Sequence, residues 1–487
     1  MYVNLMHVCV ALALALPLSG CMGTPARVMN DGLNLQETYK ATPEEVAVED
    51  NQDIYDNVKW WSLYDDPDLN RLVSHAFSNS PSLGQIRARL AQAEALKDKF
   101  SSALWPSLSV GAKRSTYDGS TRVASDFDLT GAASYEVDLW GKNRASSDAY
   151  ALKEQASRED LHGAAITLSA NVVDLWLKVL ALVEQETLLR KQIETNQTVY
   201  DLLQKRFEMG SASALDILQQ EEVISASKAE LPDVLSAQAQ AVNALSLLIG
   251  EVPSSAVTVQ AKPLPEPLPV AQAGIPSALM QNRPDIMAAW LRLLSQDKAV
   301  KIAKSNRLPS FDLSAVYGAG ATKFSDIFDS WLLTLAGELA APIIDGGALA
   351  AEQRYQEALA DESFHAYRGA VLAAVGDVEN ALVTNRYQDE KIAALDEQIR
   401  AARETLEQAQ ISYANGQSSY INVLSSITSV QSLERRLVSE RLVQAQARVS
   451  LYRALGGQGW SEAIPSITTL VNYPARQTAV NKEEEQL

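Results

Sequence analysis

From Phe127 the chain alternates. Phe127, Leu129, Gly131, Ala133, Tyr135, Val137 and Leu139 hold the odd positions; Asp126, Asp128, Thr130, Ala132, Ser134, Glu136 and Asp138 hold the even ones. One face is apolar and the other polar and acidic over about a dozen residues. Most soluble strands run to roughly half that, while a membrane-spanning strand needs about 9–11 residues. The same period runs through Leu108, Val110 and Ala112, and through Phe311, Leu313, Ala315 and Tyr317. It is less clean through Trp331, Leu333, Leu335, Leu339 and Ala341. The pattern predicts four strands in two hairpins, over 107–139 and 310–341. A small soluble sheet would show the same period.

A second period governs the longer segments. Leu168, Val172, Leu175, Val179, Leu182, Glu186, Leu189, Ile193, Asn196, Tyr200, Leu203 and Phe207 follow alternating steps of four and three. So do Ile392, Leu395, Ile399, Ala402, Leu406, Ala409 and Tyr413. A 3.5-residue spacing marks the seam between nearly parallel helices. Taken alone, these helices also suit a soluble bundle.

The two patterns occur twice in the same order. Pro81 and Pro106 are matched by Pro284 and Pro309, Gly141 by Gly346, Gly210 by Gly416, and Gly250 by Gly456. A period near 205 residues is far too long for a solenoid and reads as an internal tandem duplication. The expected divisions are a leader over 1–20, an anchored segment over 21–80, repeats over 81–250 and 284–456, and a tail over 457–487. A Pro-rich linker over 251–283 separates the repeats; its Lys262–Pro269 stretch should be extended. Each repeat opens with a helix that has Pro in its first turn, where a missing N–H costs nothing. The hairpin follows, then two helices joined at a glycine. Gly141 to Gly210 would make a helix of about 100 Å. The shorter returning helix and the opening helix, laid end to end, come close to the same length. A tube with strands at one end and glycine turns at the other is the expectation.

Composition narrows the class. The 487 residues carry a formal charge of −18, with four His and two Cys. Such an acidic chain is a poor nucleic-acid partner, and so few His and Cys build no zinc or disulfide framework. The run of about ten apolar residues near the start is too short for a spanning helix. Mean hydropathy of −0.10 suits a soluble protein, and equally a β-barrel, whose alternating strands barely raise the average.

Val8–Leu18 reads as an apolar signal core, followed by Leu18-Ser19-Gly20-Cys21. That block resembles a bacterial lipobox, which would make Cys21 the first mature residue and its lipid carrier. No Lys or Arg precedes it, so an ordinary signal peptide containing a Cys is the other reading.

No catalytic constellation stands out: HExxH, GxSxG and a Walker loop are all missing. Gly318-Ala319-Gly320 is glycine-rich but follows a strand, and reads as a loop tip. His75, His162 and His365 are dispersed. Neither a metal site nor a cofactor is expected, apart from the lipid on Cys21.

Taken in order, Cys21, Trp60-Trp61-Ser62-Leu63-Tyr64-Asp65-Asp66-Pro67-Asp68-Leu69, Tyr135–Gly141, Leu231-Pro232 with Asn243-Ala244-Leu245, Arg283-Pro284-Asp285-Ile286 and the two glycine turns resemble the outer-membrane efflux proteins. These are the TolC-like channels, and the acylated branch is the nearest match. The resemblance implies a fold that is mostly α with transmembrane β: four strands per chain in a homotrimeric twelve-stranded barrel, continued by a long α-helical barrel. Strand arithmetic requires chains to associate, because an open edge is not viable in lipid; it does not choose between two copies and three. The resemblance further implies a passive duct in the outer membrane, extending into the periplasm. Its partners would be a periplasmic adaptor and an inner-membrane transporter of the RND type.

The glycine turns would form the tip that meets the adaptor and holds the aperture, with Arg206, Gly210, Asp216, Tyr413, Gly416, Ile421 and Asn422 as candidates. Many relatives carry Asp where Ser425 stands, so a charge-locked gate gives way here to closure by Ile421. Asp126, Asp128, Glu136 and Asp138 would line the lumen and favour cations. The Trp60-Trp61 pair should pack the N-terminal segment against the tube, and Arg283-Pro284-Asp285 should start a helix. The rival class is a periplasmic coiled-coil lipoprotein without a pore.

Overall fold

The computed structural model describes residues 38–40, 59–119, 122–253, 259, 262–271, 276 and 279–457. Cys21, the leader and the tail beyond Gly457 lie outside the described residues.

The same order of elements occurs twice with nearly equal lengths. After a 3-10 turn at Trp60–Tyr64 and helix α1 (Pro67–Asn79), the first set comprises α2 (Pro81–Ser101), β1 (Ser107–Gly119), β2 (Arg122–Glu136), α3 (Lys142–Glu208) and α4 (Ala214–Leu248). The second comprises α5 (Pro284–Ser305), β3 (Ser310–Ala321), β4 (Leu332–Ala340), α6 (Ala348–Ala414) and α7 (Tyr420–Ala454). Helices α3 and α6 each have 67 residues, and α4 and α7 each have 35.

The chain forms two compact units, and neither is one of the sequence halves. Among the described residues, the first takes Ile86–Leu161 and Pro284–Ala373; the second takes those within 38–85, 162–283 and 374–457. Each unit therefore draws corresponding segments from both halves, and the long helices contribute to both.

The first unit holds the sheet, an antiparallel meander in the order β1-β2-β3-β4. Its register matches like faces across every seam. Val110, Gly131, Tyr317 and Leu333 are successive partners on the apolar face. The glycine-rich stretch is not a loop tip. Gly318 and Gly320 sit inside β3 opposite Thr130 and Asp128, where a Cβ would come within 3.0 Å of the Thr130 methyl and 2.9 Å of the Asp128 carboxylate. Glycine is there for a close cross-strand approach.

The second unit is helical. Asp66 caps α1 by accepting from the Asp68 and Leu69 amides at 2.9 and 3.1 Å, with Pro67 in the first turn. Trp60 and Trp61 are buried; Trp60 stacks on Tyr452 at 5.8 Å and Trp61 meets the edge of Phe77 at 5.7 Å. The tryptophan pair thus docks its segment as expected. The Lys262–Pro269 stretch carries no helix or strand and is strapped down. The Leu264 amide donates to Glu184, Arg448 Nε donates to the Leu268 carbonyl, and Lys262 pairs with Asp66.

One stretch of α3 is long and apolar enough to cross a membrane by composition, but 61% of it is buried inside the protein. It behaves as the core of a helical unit.

Candidate functional site

The sheet presents two chemically distinct faces. The apolar one is bare along its edges: Leu108 and Val110 on β1 are 80% and 79% exposed, and Leu335 on β4 is 73% exposed. Aromatic rings gather at the β3–β4 turn, where Tyr317 stacks on Trp331 at 4.9 Å and Phe127 meets Phe324 edge-on at 5.7 Å. Exposed apolar surface on this scale is not stable in water and marks a face made for lipid.

On the polar face Asp128 stands opposite Lys113, and Glu136 opposite Asp312, which in turn stands opposite Glu338. Three carboxylates therefore form one row across β2, β3 and β4. Glu136 also pairs with Lys142 at 2.5 Å. Sequence reading found Asp126, Asp128 and Glu136 but missed Asp312 and Glu338. Both stand at even positions of their strands, so alternation assigns the face; only the register assigns the row.

Asp138 departs from its expected role. It lies beyond β2 and accepts from the Asn143 and Arg144 amides at 3.1 and 2.9 Å. It satisfies the orphan N–H groups at the start of α3 instead of lining a strand. Asp345 does the same for α6, and the hydrogen bonds from Leu349 and Gly347 hold its carboxyl below the usual range.

The second unit brings the two glycine turns together. Gly210 and Gly416 have φ of +72° and +71°. In each turn the following amide reaches back five residues: Ser211 to the Arg206 carbonyl at 2.8 Å, and Gln417 to that of Ser412 at 2.9 Å. Both are left-handed caps that only glycine adopts without cost. Past the first turn, Ser213 and Asp216 form a reciprocal capping box at 3.2 and 3.0 Å. At the corresponding place in the second half, Ser419 makes no side-chain cap and Asn422 is exposed.

Leu203, Tyr420, Val423, Leu424 and Ile427 bury one cluster that also holds Ile217, Leu406 and Tyr413, so α3, α4, α6 and α7 all meet there. The Arg206 guanidinium lies over the Tyr413 ring at 4.6 Å. Burial pushes the Tyr413 and Tyr420 hydroxyls up, so both stay neutral. Ile421 and Ser425, one turn apart on α7, are both exposed. Phe207, the last residue of the α3 seam pattern, is 47% exposed and does not join the cluster.

Behind the tip runs a buried chain of amides. Tyr420 donates to Gln220 at 2.6 Å, Gln220 donates to the Asn196 carbonyl at 2.8 Å, and Asn196 and Gln431 bond reciprocally. Gln192 continues it to the Gln431 carbonyl, and Arg435 donates to Gln192 at 2.7 Å. Of these residues only Asn196 had stood out, through its place in the heptad pattern.

The outer membrane efflux protein family matches residues 72–251 and again 275–457. The chain belongs to that family. Among its relatives, the pyoverdine export outer membrane protein OpmQ of Pseudomonas putida is 32% identical over 84% of this chain and 89% of its own length. The outer membrane protein OprJ of Pseudomonas aeruginosa is 30% identical over 70% of this chain and 74% of its own. In fold the chain resembles the solved outer-membrane channel OprN, with a TM-score of 0.81 at 24% identity, covering 90% of this chain and 99% of that one. The open-state MtrE channel of Neisseria gonorrhoeae superposes at 0.79 with 25% identity, covering 89% and 97%. As an outer membrane efflux protein, the chain carries a sheet suited to lipid and a helical unit that brings its two turns together.

Proposed function

We propose that the chain is the outer-membrane duct of a tripartite efflux pump and that it performs no chemistry of its own. The observation that carries this reading is the sheet: four long strands with one apolar face, one acidic face and two open edges. A closed barrel is the only β-architecture that hides its edges in lipid. Three copies supply twelve strands, with the acidic face around the lumen. The equal helix lengths of the two halves, and the family's double match, support a duplicated unit in each copy.

The tip of paired glycine turns is the docking end for a periplasmic adaptor, through Arg206, Gly210, Asp216, Tyr413, Gly416, Ile421, Asn422 and Ser425. An inner-membrane transporter of the RND type drives the cargo. The cargo is a small molecule; the OpmQ relative is named for pyoverdine export. Cys21 carries the lipid, and Cys21→Ala should abolish acyl labelling of the mature chain.

The test is single-channel recording of the purified protein in a planar bilayer, together with its native mass. Discrete conductances from a trimer support the duct. A protein that remains water-soluble without detergent, with no conductance, would leave a periplasmic spacer as its role.

A further inference from the structure

We infer that β4 of one copy joins β1 of the next in a single register, with Glu338 opposite the neighbouring copy's Lys113 and Ile343 opposite the neighbouring copy's Leu108. The inference rests on the trimeric reading above and adds which residues meet.

The argument starts inside one chain. The β2–β3 seam joins the first hairpin to the second, and so serves as the template for joining the second hairpin to the first of another copy. The hairpins align through their own registers, Ser107 with Ser134 in one and Ser310 with Ala340 in the other. The seam pair Glu136–Asp312 then transfers to Pro342 and the neighbour's Ser109. Counting outward sets Leu339 against Ala112, Glu338 against Lys113 and Ala336 against Ser115.

Four observations agree with this register. The faces match: Leu339, Ala341 and Ile343 meet Ala112, Val110 and Leu108 on the apolar side. The charges match as well. Glu338 already faces Asp312 within its own chain, a like-charge pair that is unfavourable unless a cation stands on the open side. Lys113 is the one base at an odd position of β1, and a slip of two residues either way sets an alanine opposite it.

The third observation is exposure. Leu108 is 80% exposed at one edge, and Ile343 and Ile344 are 86% and 93% exposed at the other. In the template, the Val137 amide donates to the Phe311 carbonyl at 2.8 Å; the transferred bond runs from Ile343 to Leu108. The fourth is Pro342, the residue in this stretch with no N–H to give. N–H groups alternate sides along a strand, so Pro342 sits where the missing donor would point away from the seam. Pairing would extend β4 past Ala340, where it now stops.

Disulfide trapping in the full-length protein tests the register. Ser115→Cys with Ala336→Cys should give interchain dimers and trimers on mild oxidation. Directly opposed Cα atoms lie about 4.5–5.5 Å apart, within disulfide range. In one chain the two strands are three strand spacings apart, roughly 14 Å, and Ala336 shares its row with Ser107 and not with Ser115, so no intrachain bond can form. Ala336→Cys with Lys113→Cys or with Tyr117→Cys, each two residues out of register, should not link. If a control pair links while the native mass is that of a trimer, the register is wrong and the trimer stands. If no pair links in a trimer, the edges do not join. A monomeric mass overturns the trimeric reading itself. In parallel, Lys113→Glu should lower the temperature at which the detergent-resistant oligomer dissociates, and Glu338→Lys in the same chain should restore it. A double variant no better than the single removes the ion pair from the register.

Discussion

Asn196 and Gln431 exchange two amide hydrogen bonds, 3.2 and 2.9 Å long, in the buried space between α3 and α7. A paired amide on a heptad seam stabilises little by itself, but it penalises every register that leaves it unpaired. Asn196→Leu should therefore cost about 1–3 kcal/mol, because the Gln431 amide stays buried with both of its side-chain hydrogen bonds lost. Asn196→Leu with Gln431→Leu should recover part of that loss. Chemical denaturation in detergent measures both, and a double variant worse than the single would contradict the account.

Asp174 is a buried liability of the second unit. Its Oδ1 has no hydrogen-bond partner among the described residues. Burial raises its carboxyl to about 6, against the opposing pull of Arg453. The folded value exceeds the unfolded one, so the folded protein holds the proton more tightly. Stability is therefore favoured below about pH 4 and declines as pH rises through 6. Asp174→Asn should be nearly neutral at pH 4 and stabilising at pH 8, by at most about 3 kcal/mol. Denaturation midpoints at the two pH values decide it; an equal effect at both would rule out titration as the cause.

The row Glu136–Asp312–Glu338 should make the barrel favour cations. Glu136 is partly compensated by Lys142, and the inferred seam sets Lys113 of the next copy against Glu338, which leaves Asp312 as the strongest contributor. Asp312→Asn should lower the cation-to-anion permeability ratio more than Glu136→Gln does. Reversal potentials in a salt gradient give the ratio, and an unchanged ratio in Asp312→Asn would mean the acids only solvate a wide pore.

Ile421 stands exposed at the tip, one turn before Ser425. If it narrows the aperture by contact with its copies, Ile421→Ser should raise the basal conductance of the isolated channel. A conductance equal to that of the unaltered protein would move the constriction elsewhere.

Local signals carried much of the architecture. Period-two alternation located all four strands, and the prolines and glycines bracketed the helices to within a few residues. Trp60 and Trp61 announced a docking segment because two large rings in succession have to be buried somewhere. Three readings needed more than local pattern. Asp138 continues the strand's alternation unbroken, so nothing in the period marks where the strand stops and a helix needs a cap. Gly318 and Gly320 look like a turn, because a glycine's dependence on a neighbouring strand cannot be seen in its own segment. Gln192, Gln220 and Gln431 look like surface residues until the helices facing them are known. In each case the missing information was the identity of the partner.

The bare edges have a consequence for biogenesis. A newly exported chain that presents Leu108 and Val110 on one rim, and Ile343 and Ile344 on the other, is adhesive in water until copies meet. Assembly is then a race between productive encounter and indiscriminate sticking. Synthesis that outpaces insertion should yield aggregate rather than spare monomer, so the cell's supply of finished channels is set by the insertion step and not by expression alone.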